Sequence, residues 1–225
     1  MKKVLCAFSW LYNHLNRLVE PRLAHYLPSW VTPNRVTFFR TALMVPVLVL
    51  QTLQLTSAGL IVYNFAIFLD YVDGSLARGR NQMTQFGACA DAMADKISLG
   101  IILIYDICYL LVLATMNEWV CSAFYWLTLT PFLLSSGAFL YLESRLAIIR
   151  YEDYIYNINN RESQRDLRAS ASGKVKMILQ SIGVGLLIVS FPNLNDGIGG
   201  YLGAIVLLAA MPFAWASLRG KLQRR

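Results

Sequence analysis

Six long apolar stretches constrain this chain more than any other feature of its sequence. A helix that crosses a bilayer needs about 20 mostly apolar residues, and each stretch meets or approaches that length. Hydrophobic residues make up 56% of the chain and charged residues only 15%, against about 25% charged in soluble domains. The sequence therefore predicts an all-α integral membrane protein with six transmembrane helices, at residues 35–54, 57–78, 92–115, 119–142, 174–192 and 198–218.

The distribution of positive charge predicts the orientation of these helices. The short connections at 55–56, 116–118 and 193–197 contain no Lys or Arg. Of the 20 Lys and Arg, 14 belong to the other connections and the termini, and the other six lie within the first or last six residues of a span, at the end that adjoins one of those segments. Positively charged segments stay on the cytoplasmic side of a membrane. Both termini are therefore predicted to be cytoplasmic. The net charge of +7 indicates contact with anionic membrane lipids, and no nucleic-acid partner is expected.

The segments outside the spans complete the predicted organisation. Apolar side chains recur at helical spacing over residues 4–27, which predicts an amphipathic helix lying on the membrane. This segment lacks a signal-peptide cleavage site and is expected to be retained. The chain is thus divided into a juxtamembrane helix at 1–30, a six-helix domain at 31–220 with a cytoplasmic arm at 151–172, and a basic cytoplasmic tail at 221–225.

Four aspartates are crowded where spans two and three approach the cytoplasm: Asp70, Asp73, Asp91 and Asp95. Ionisable groups in or near a membrane span are costly and therefore indicate function. A turn near 79–86 makes the two spans an antiparallel pair, so that their carboxylate faces converge. Clustered carboxylates repel one another. An all-oxygen ligand set without His or Cys favours Mg²⁺ or Mn²⁺ as the cation that relieves this repulsion.

The residues beside these aspartates indicate a phosphate-bearing substrate. Gly74, Ala77 and Gly87 remove side-chain bulk on the same helix faces, and Arg78 supplies a planar fork suited to phosphate. A metal, small residues and an Arg at headgroup level predict phosphoryl transfer to or from a lipid. A purely structural ion-pair network is the alternative, and it is disfavoured because buried paired charges seldom add net stability.

The spacing of these residues carries a family resemblance. It resembles, without gap or substitution, the signature of the CDP-alcohol phosphatidyltransferases. The resemblance implies that CDP-diacylglycerol docks between the helices, that an acceptor hydroxyl attacks the phosphate on the diacylglycerol side, and that CMP leaves. It also implies a homodimer. The chain reads Asp70-x2-Asp73-Gly74-x2-Ala77-Arg78-x8-Gly87-x3-Asp91-x3-Asp95.

The same resemblance implies a role for each residue of the signature. All four aspartates are expected to ligate metal, with Asp91 bridging two ions. Asp95 is also expected to be the general base that takes the proton of the acceptor hydroxyl. The residues expected to bind the CDP-lipid are Asp73, Gly74, Ala77, Arg78, Gly87, Asn34 and Thr37.

Two further stretches bear on the acceptor. They resemble segments of the family members that make phosphatidylglycerophosphate from glycerol 3-phosphate, with Met177 in place of a usual Thr. Lysines beside a helix N-terminus form a phosphate site. Glycerol 3-phosphate is therefore the predicted acceptor, while phosphatidylglycerol (giving cardiolipin) and inositol phosphate stay open. The stretches are Pro33-Asn34-x2-Thr37-x2-Arg40 and Gly173-Lys174-x-Lys176-x3-Gln180, and the residues expected to hold the acceptor phosphate are Lys174, Lys176, Arg145 and Arg150.

Two other classes of function were weighed. A membrane ion or solute transporter would use the acidic cluster as its ion site, but such sites lie near the bilayer midplane, and the two halves of this chain do not repeat. An inactive scaffold would not need an intact signature. The resemblance places the protein in a bacterial cytoplasmic membrane, with its active site facing the cytoplasm. Asp106, deeper in span three, is expected to be a neutral, hydrogen-bonded group inside the bundle.

Overall fold

The computed structural model describes residues 25–116, 123–160, 171–190 and 198–223. Every regular secondary-structure element in these ranges is a helix, which confirms the predicted all-helical architecture. The predicted interfacial helix lies almost wholly outside the described residues. The helices are α1 (Pro33–Ala42), α2 (Met44–Thr52), α3 (Thr56–Gly79), α4 (Gln85–Met116), α5 (Ala123–Asn159), α6 (Ala171–Ser190) and α7 (Ile198–Leu222).

Three of the described helical segments are long and apolar enough to cross a membrane. They are Thr56–Gly79, which is the whole of α3, Ser172–Val189 in α6, and Leu202–Leu222 in α7. They correspond to the second, fifth and sixth predicted spans. The remaining three spans and the cytoplasmic placement of the termini stay predictions.

The first predicted span is interrupted in the structure. Helix α1 ends at Ala42 and α2 begins at Met44, with 10 and 9 residues respectively. Pro46 has no N–H to donate to the carbonyl of Ala42, and its ring crowds that carbonyl, so a proline in this position interrupts a helix. The break at Leu43 leaves two short helices where the sequence predicted one continuous span.

Helices α4 and α5 are longer than the spans predicted for them. Helix α4 begins at Gln85 and α5 continues to Asn159, so that the first nine residues of the predicted cytoplasmic arm belong to α5. This extension is anchored by α7. Asp153 and Lys221 are both buried, and their Oδ2 and Nζ atoms lie 3.9 Å apart. The first residue of the predicted basic tail is therefore packed against the helical part of the arm.

The turn between α3 and α4 follows from its residues. Asn81 adopts a left-handed φ of 54°. The N–H of Gln82 donates to the carbonyl of Ala77 at 2.9 Å, and that of Asn81 to the carbonyl of Arg78 at 3.2 Å, as in a Schellman C-cap. Thr84 then caps α4, because its Oγ1 accepts a bond from the N–H of Gly87 at 2.9 Å.

Helix α1 is the element that joins the two aspartate-bearing helices. It packs against both α3 and α4, whereas α3 and α4 make little direct contact with each other in the part of the chain that is described. The sequence predicted that these two helices pair directly. Their carboxylate faces converge instead across α1, which inserts between them.

The segment ahead of α1 is tied to the α3–α4 turn by one side chain. The guanidinium of Arg80 donates to the carbonyls of Val31 at 2.8 Å and Pro28 at 3.2 Å, and also to that of Leu27. Backbone carbonyls outside a helix need such donors when water is excluded. Arg80 therefore fixes where α1 begins relative to the turn that carries the signature.

Helices α6 and α7 meet at two glycines, which yields a stability prediction. A Cβ at Gly203 would lie 2.9 Å from Leu187 Cγ and 3.0 Å from the carbonyl oxygen of Gly183. Gly203→Ala is expected to force the helices apart and to lower stability by about 1–3 kcal/mol, as overpacking does. Thermal unfolding in detergent measures the loss.

Gly220 provides the control on the same helix. No atom lies within 4 Å of a Cβ built there, so Gly220→Ala is expected to leave the melting temperature unchanged or to raise it through better helix propensity. Equal melting temperatures for the Gly203 variant and the wild type would contradict the close approach.

Candidate functional site

Arg40 lies at the centre of the four signature aspartates. Its Nη1 is 2.9 Å from Asp70 Oδ1 and 2.8 Å from Asp95 Oδ1, and its Nη2 is 2.5 Å from Asp91 Oδ1. Its Nε is 3.3 Å from Asp73 Oδ2. Only 8% of the Arg40 side chain is exposed. One guanidinium on α1 thus contacts carboxylates from both α3 and α4.

Three of these carboxylates are close enough to share a cation. Asp70, Asp91 and Asp95 each offer an oxygen, and these oxygens all lie within 4.8 Å of one another. Oxygen ligands of Mg²⁺ lie about 2.0–2.1 Å from the ion, which places two of them at most about 4.2 Å apart. The spacing and the all-oxygen chemistry fit a small divalent cation after a small adjustment of the side chains.

The signature residues of α3 face two different neighbouring helices, α1 and α6. Asp73 is buried and accepts a hydrogen bond from Thr37 Oγ1 at 2.8 Å, so it faces α1. Gly74 and Arg78 instead line a groove between α3 and α6. Asp70 lies at the boundary, because it contacts Arg40 and also lines the groove.

The groove has a polar end and an apolar end. It encloses about 590 Å³. The Arg78 guanidinium folds over Gly74, and a Cβ at that glycine would lie 3.3 Å from its Nη1. Lys174 lies on the opposite wall. The polar end is formed by Asp70, Gly74, Arg78 and Lys174, and the apolar walls by Leu60, Ile178, Ile182, Leu186 and Val189.

A smaller chamber of about 80 Å³ adjoins the aspartates on the inner side. Asp95, Arg40 and Lys96 line it together with Gln180, whose Oε1 is buried without a hydrogen-bond partner among the described residues. Asp70 lines both the chamber and the groove. The two spaces are therefore adjacent at this carboxylate, and Asp95 lines the smaller one.

Lys176, predicted to hold a phosphate, belongs to a buried ionic cluster. Its Nζ is 2.6 Å from Glu143 Oε1, and Lys96 Nζ is 2.8 Å from Glu143 Oε2. At most 9% of each side chain is exposed. This Lys96–Glu143–Lys176 triad connects α4, α5 and α6 and carries one excess positive charge next to Asp95.

The other residues predicted to bind the acceptor are dispersed. Lys174 is in the groove, as described above, and Arg145 is exposed on α5. Arg150 is half-buried, and its Nε has no hydrogen-bond partner among the described residues. The structure thus does not bring the four predicted cations into one pocket, and their binding of a phosphate stays a prediction.

Asn34 and Gly87, both predicted to bind the CDP-lipid, are neighbours. A Cβ at Gly87 would lie 3.1 Å from Asn34 Oδ1 and 3.0 Å from Thr84 Oγ1. Gly87→Ala is expected to displace Asn34 and to weaken the cap of α4, because both contacts are tighter than a Cβ normally allows. A fall in activity of about tenfold, equivalent to about 1.4 kcal/mol, is expected in an assay of CMP release.

The matched control for Gly87 is Gly137 on α5, where a Cβ would meet no atom within 4 Å. Gly137→Ala is expected to keep full activity. If both alanine variants were equally active, the close approach of Asn34 to Gly87 would have no functional consequence.

Asp106 lies inside the bundle. It is fully buried and accepts a hydrogen bond from Gln51 Nε2 at 3.2 Å. Its Oδ2 and the Oε1 of Gln51 have no partner among the described residues. Asp106 is separate from the signature aspartates, and Gln51 at the end of α2 is its partner.

Arg40, Lys96 and Glu143 belong to the site although no role was predicted for them from the sequence. Arg40 stood in the Pro-Asn-x2-Thr-x2-Arg stretch, so a signal for it was present in the sequence. Glu143 could have been suspected as an acid at the end of a predicted span. No local pattern connects it with Lys96 and Lys176, which are 47 and 33 positions away in the chain.

Comparison with known proteins agrees with the signature. A family model described as CDP-alcohol phosphatidyltransferase matches residues 30–216. The chain is 29% identical over 185 residues to a CDP-diacylglycerol--glycerol-3-phosphate 3-phosphatidyltransferase of Pectobacterium atrosepticum, covering 80% of this chain and 88% of that protein. No solved structure matches significantly.

Two other relatives match over shorter segments. The chain is 36% identical over 86 residues to a phosphatidylinositol phosphate synthase of Mycobacteroides abscessus, covering 37% of this chain and 39% of that protein. It is 33% identical over 106 residues to a bifunctional IPC transferase and DIPP synthase of Thermococcus kodakarensis, covering 47% and 23% respectively. These two matches thus span less than half of either relative.

Proposed function

Since the chain belongs to the CDP-alcohol phosphatidyltransferase family, we propose that it transfers a phosphatidyl group from CDP-diacylglycerol to glycerol 3-phosphate and releases CMP. The observation that carries this proposal is the junction at Asp70. There a groove with a polar end and apolar walls adjoins a smaller chamber that Asp95 lines. A lipid donor and a polar acceptor need two such spaces that join at the reacting phosphate.

The groove between α3 and α6 suits the donor. Its apolar walls match acyl chains, whose burial is favourable at about 25 cal/mol per Å². Arg78 and Lys174 at its polar end supply positive charge for the two phosphates of a CDP-lipid. The missing side chain at Gly74 makes room for the Arg78 guanidinium. Asn34, Thr37, Ala77 and Gly87 are proposed to complete the cytidine side.

Asp95 is proposed as the general base. It lines the inner chamber, where it could contact an acceptor hydroxyl. Its carboxylate takes the hydroxyl proton as the acceptor oxygen forms a bond to the phosphorus on the diacylglycerol side. The bond from that phosphorus to the oxygen of CMP breaks, and CMP leaves with the electron pair.

The aspartates are proposed to hold Mg²⁺ or Mn²⁺, with two ions as the resemblance implies. Asp70, Asp91 and Asp95 have the oxygen spacing for this, and Asp73 is beside them. When bound, such a cation supplies charge that neutralises phosphate oxygens and stabilises the leaving group. The protein's part is to hold the four carboxylates of α3 and α4 together around α1.

Glycerol 3-phosphate is proposed as the acceptor because a relative that aligns over most of the chain is named as a glycerol-3-phosphate 3-phosphatidyltransferase. The excess positive charge of the Lys96–Glu143–Lys176 triad beside the chamber suits an anionic acceptor. Inositol phosphate is the second candidate, supported by the 36% identity over the segment shared with a phosphatidylinositol phosphate synthase. The transporter alternative is set aside because the chain belongs to a family of transferases.

We also propose that the protein works as a homodimer in the cytoplasmic membrane, with the site facing the cytoplasm. Three helical segments that can cross a membrane support the membrane setting. The polar end of the groove lies near the C-terminal end of α3, where Arg78 and Arg80 follow the apolar part of the helix. Because Lys and Arg flank spans mainly on the cytoplasmic side, this end of α3 is proposed to lie at the cytoplasmic boundary of the membrane.

The test is CMP release by protein purified in detergent with CDP-diacylglycerol and Mg²⁺. Glycerol 3-phosphate, inositol phosphate and phosphatidylglycerol are supplied one at a time, with an EDTA control for each. Release with glycerol 3-phosphate alone is expected. Release only with another acceptor would show that the proposed acceptor is wrong and leave the proposed transfer reaction standing. No release with any acceptor would overturn the proposal.

A further inference from the structure

The position of Arg40 among the aspartates has a consequence for metal binding. Its three guanidinium nitrogens reach all four signature carboxylates at 2.5–3.3 Å. Asp70, Asp91 and Asp95 are also the three carboxylates whose oxygens lie within 4.8 Å of one another. The guanidinium thus occupies the space where these carboxylates would hold a divalent cation.

Arg40 and a divalent cation cannot both use these groups fully. A carboxylate oxygen that accepts a charge-assisted N–H bond has part of its lone-pair capacity committed. A cation placed among the same carboxylates would also lie close to a positive guanidinium, and like charges at short range repel. Binding of one therefore opposes binding of the other.

The negative charge of the four carboxylates explains why this chain carries Arg40 among them. Without a cation, four carboxylates brought together by α3 and α4 repel one another, and Arg40 compensates one of the four charges. Arg40 also lines the inner chamber of about 80 Å³. The guanidinium therefore borders open space and needs only a side-chain movement to leave the carboxylates.

We propose that Arg40 is a resident counter-ion of the aspartate cluster, which competes with the divalent cation and withdraws when the cation binds. The inference rests on the metal-dependent function proposed above. Arg40 is a positioning residue in this account: it keeps the carboxylates together in the metal-free protein and sets how tightly they bind metal.

The test is Mn²⁺ binding to purified protein in detergent, without substrates. Arg40→Met removes the charge at similar length and is expected to bind Mn²⁺ at least tenfold more tightly than the wild type. In EDTA this variant is expected to melt at a lower temperature than the wild type, and Mn²⁺ is expected to raise its melting temperature more. Arg219→Met, an exposed Arg at the end of α7, is the matched control and should match the wild type in both measurements.

Arg40→Lys keeps the inference testable if the Met variant does not fold. A single ammonium cannot contact all four carboxylates, so this variant is expected to bind Mn²⁺ several-fold more tightly than the wild type. Equal or weaker Mn²⁺ binding by the Arg40 variants would overturn the inference while leaving the proposed function standing. If neither the wild type nor the variants bound Mn²⁺, the metal in the proposed function would fail, and the inference with it.

Discussion

Replacing Asp95 with Asn is expected to abolish CMP release while leaving the helical fold intact. Asn keeps the shape of the side chain, and its Oδ1 can still accept the bond that Arg40 Nη1 makes at 2.8 Å. An amide cannot take a proton from the acceptor hydroxyl. A fall on the order of 10³-fold or more is expected, because general base catalysis alone contributes roughly 10²–10⁴-fold and a metal ligand is weakened as well.

Asp106→Asn is the matched control for this experiment. Asp106 is on the same helix, is buried, and accepts a hydrogen bond from Gln51 Nε2 that an Asn oxygen can also accept. Its substitution is expected to preserve turnover. Normal activity of the Asp95 variant would show that Asp95 is not the general base. A comparable loss in the Asp106 variant would instead give the deeper aspartate a functional role.

Replacing Glu143 with Ala is expected to destabilise the protein severely. Lys96 and Lys176 would be left buried side by side without the carboxylate that now contacts both. Removing one partner from a buried ion pair costs about 3–5 kcal/mol, and here two cations lose their partner at once. Thermal or denaturant unfolding in detergent measures the effect. Glu152→Ala, at an exposed position of the same helix, is expected to change stability by about 1 kcal/mol or less.

The pH dependence of stability provides a second measurement on Glu143, just past the fourth predicted span. Burial raises the pKa of its carboxyl, but Lys96 and Lys176 lower it by more, so that the pKa lies below the ordinary value of 4.5. Such a group stabilises the protein above its ordinary pKa, and the stabilisation is lost as the pH falls through the lowered value. The wild type should therefore lose part of its advantage over Glu143→Ala between about pH 5 and pH 3. A constant difference in stability would contradict the ion-pair explanation.

Several parts of the site could be predicted because they depend on local sequence. Asn81 takes the left-handed position of a helix C-cap and Thr84 caps the next helix, which places the turn where the sequence predicted it. The i, i+4 spacing of Asp91 and Asp95 likewise brings both to Arg40. Helical periodicity and turn chemistry act over a few residues, and a single sequence contains them completely.

Other parts depend on which helices pack together. The sequence predicted that α3 and α4 pair directly, but α1 inserts between them and brings Arg40 to the aspartates. Lys176 was predicted to bind a substrate phosphate, and its contact with Glu143 was not predicted. Both outcomes follow from the contact of residues 30 or more positions apart, for which spacing along the chain carries no information.

The sequence by itself determined the family, the helical class and the set of aspartates, because the chemistry of a signature and the period of a helix are properties of short segments. Only the tertiary structure decided the partners of these groups. Arg40 contacts all four carboxylates, and Glu143 binds two lysines from different helices. In a water-poor interior a charge must find a partner in whichever helix packs beside it, and that choice is made by the packing of the whole bundle.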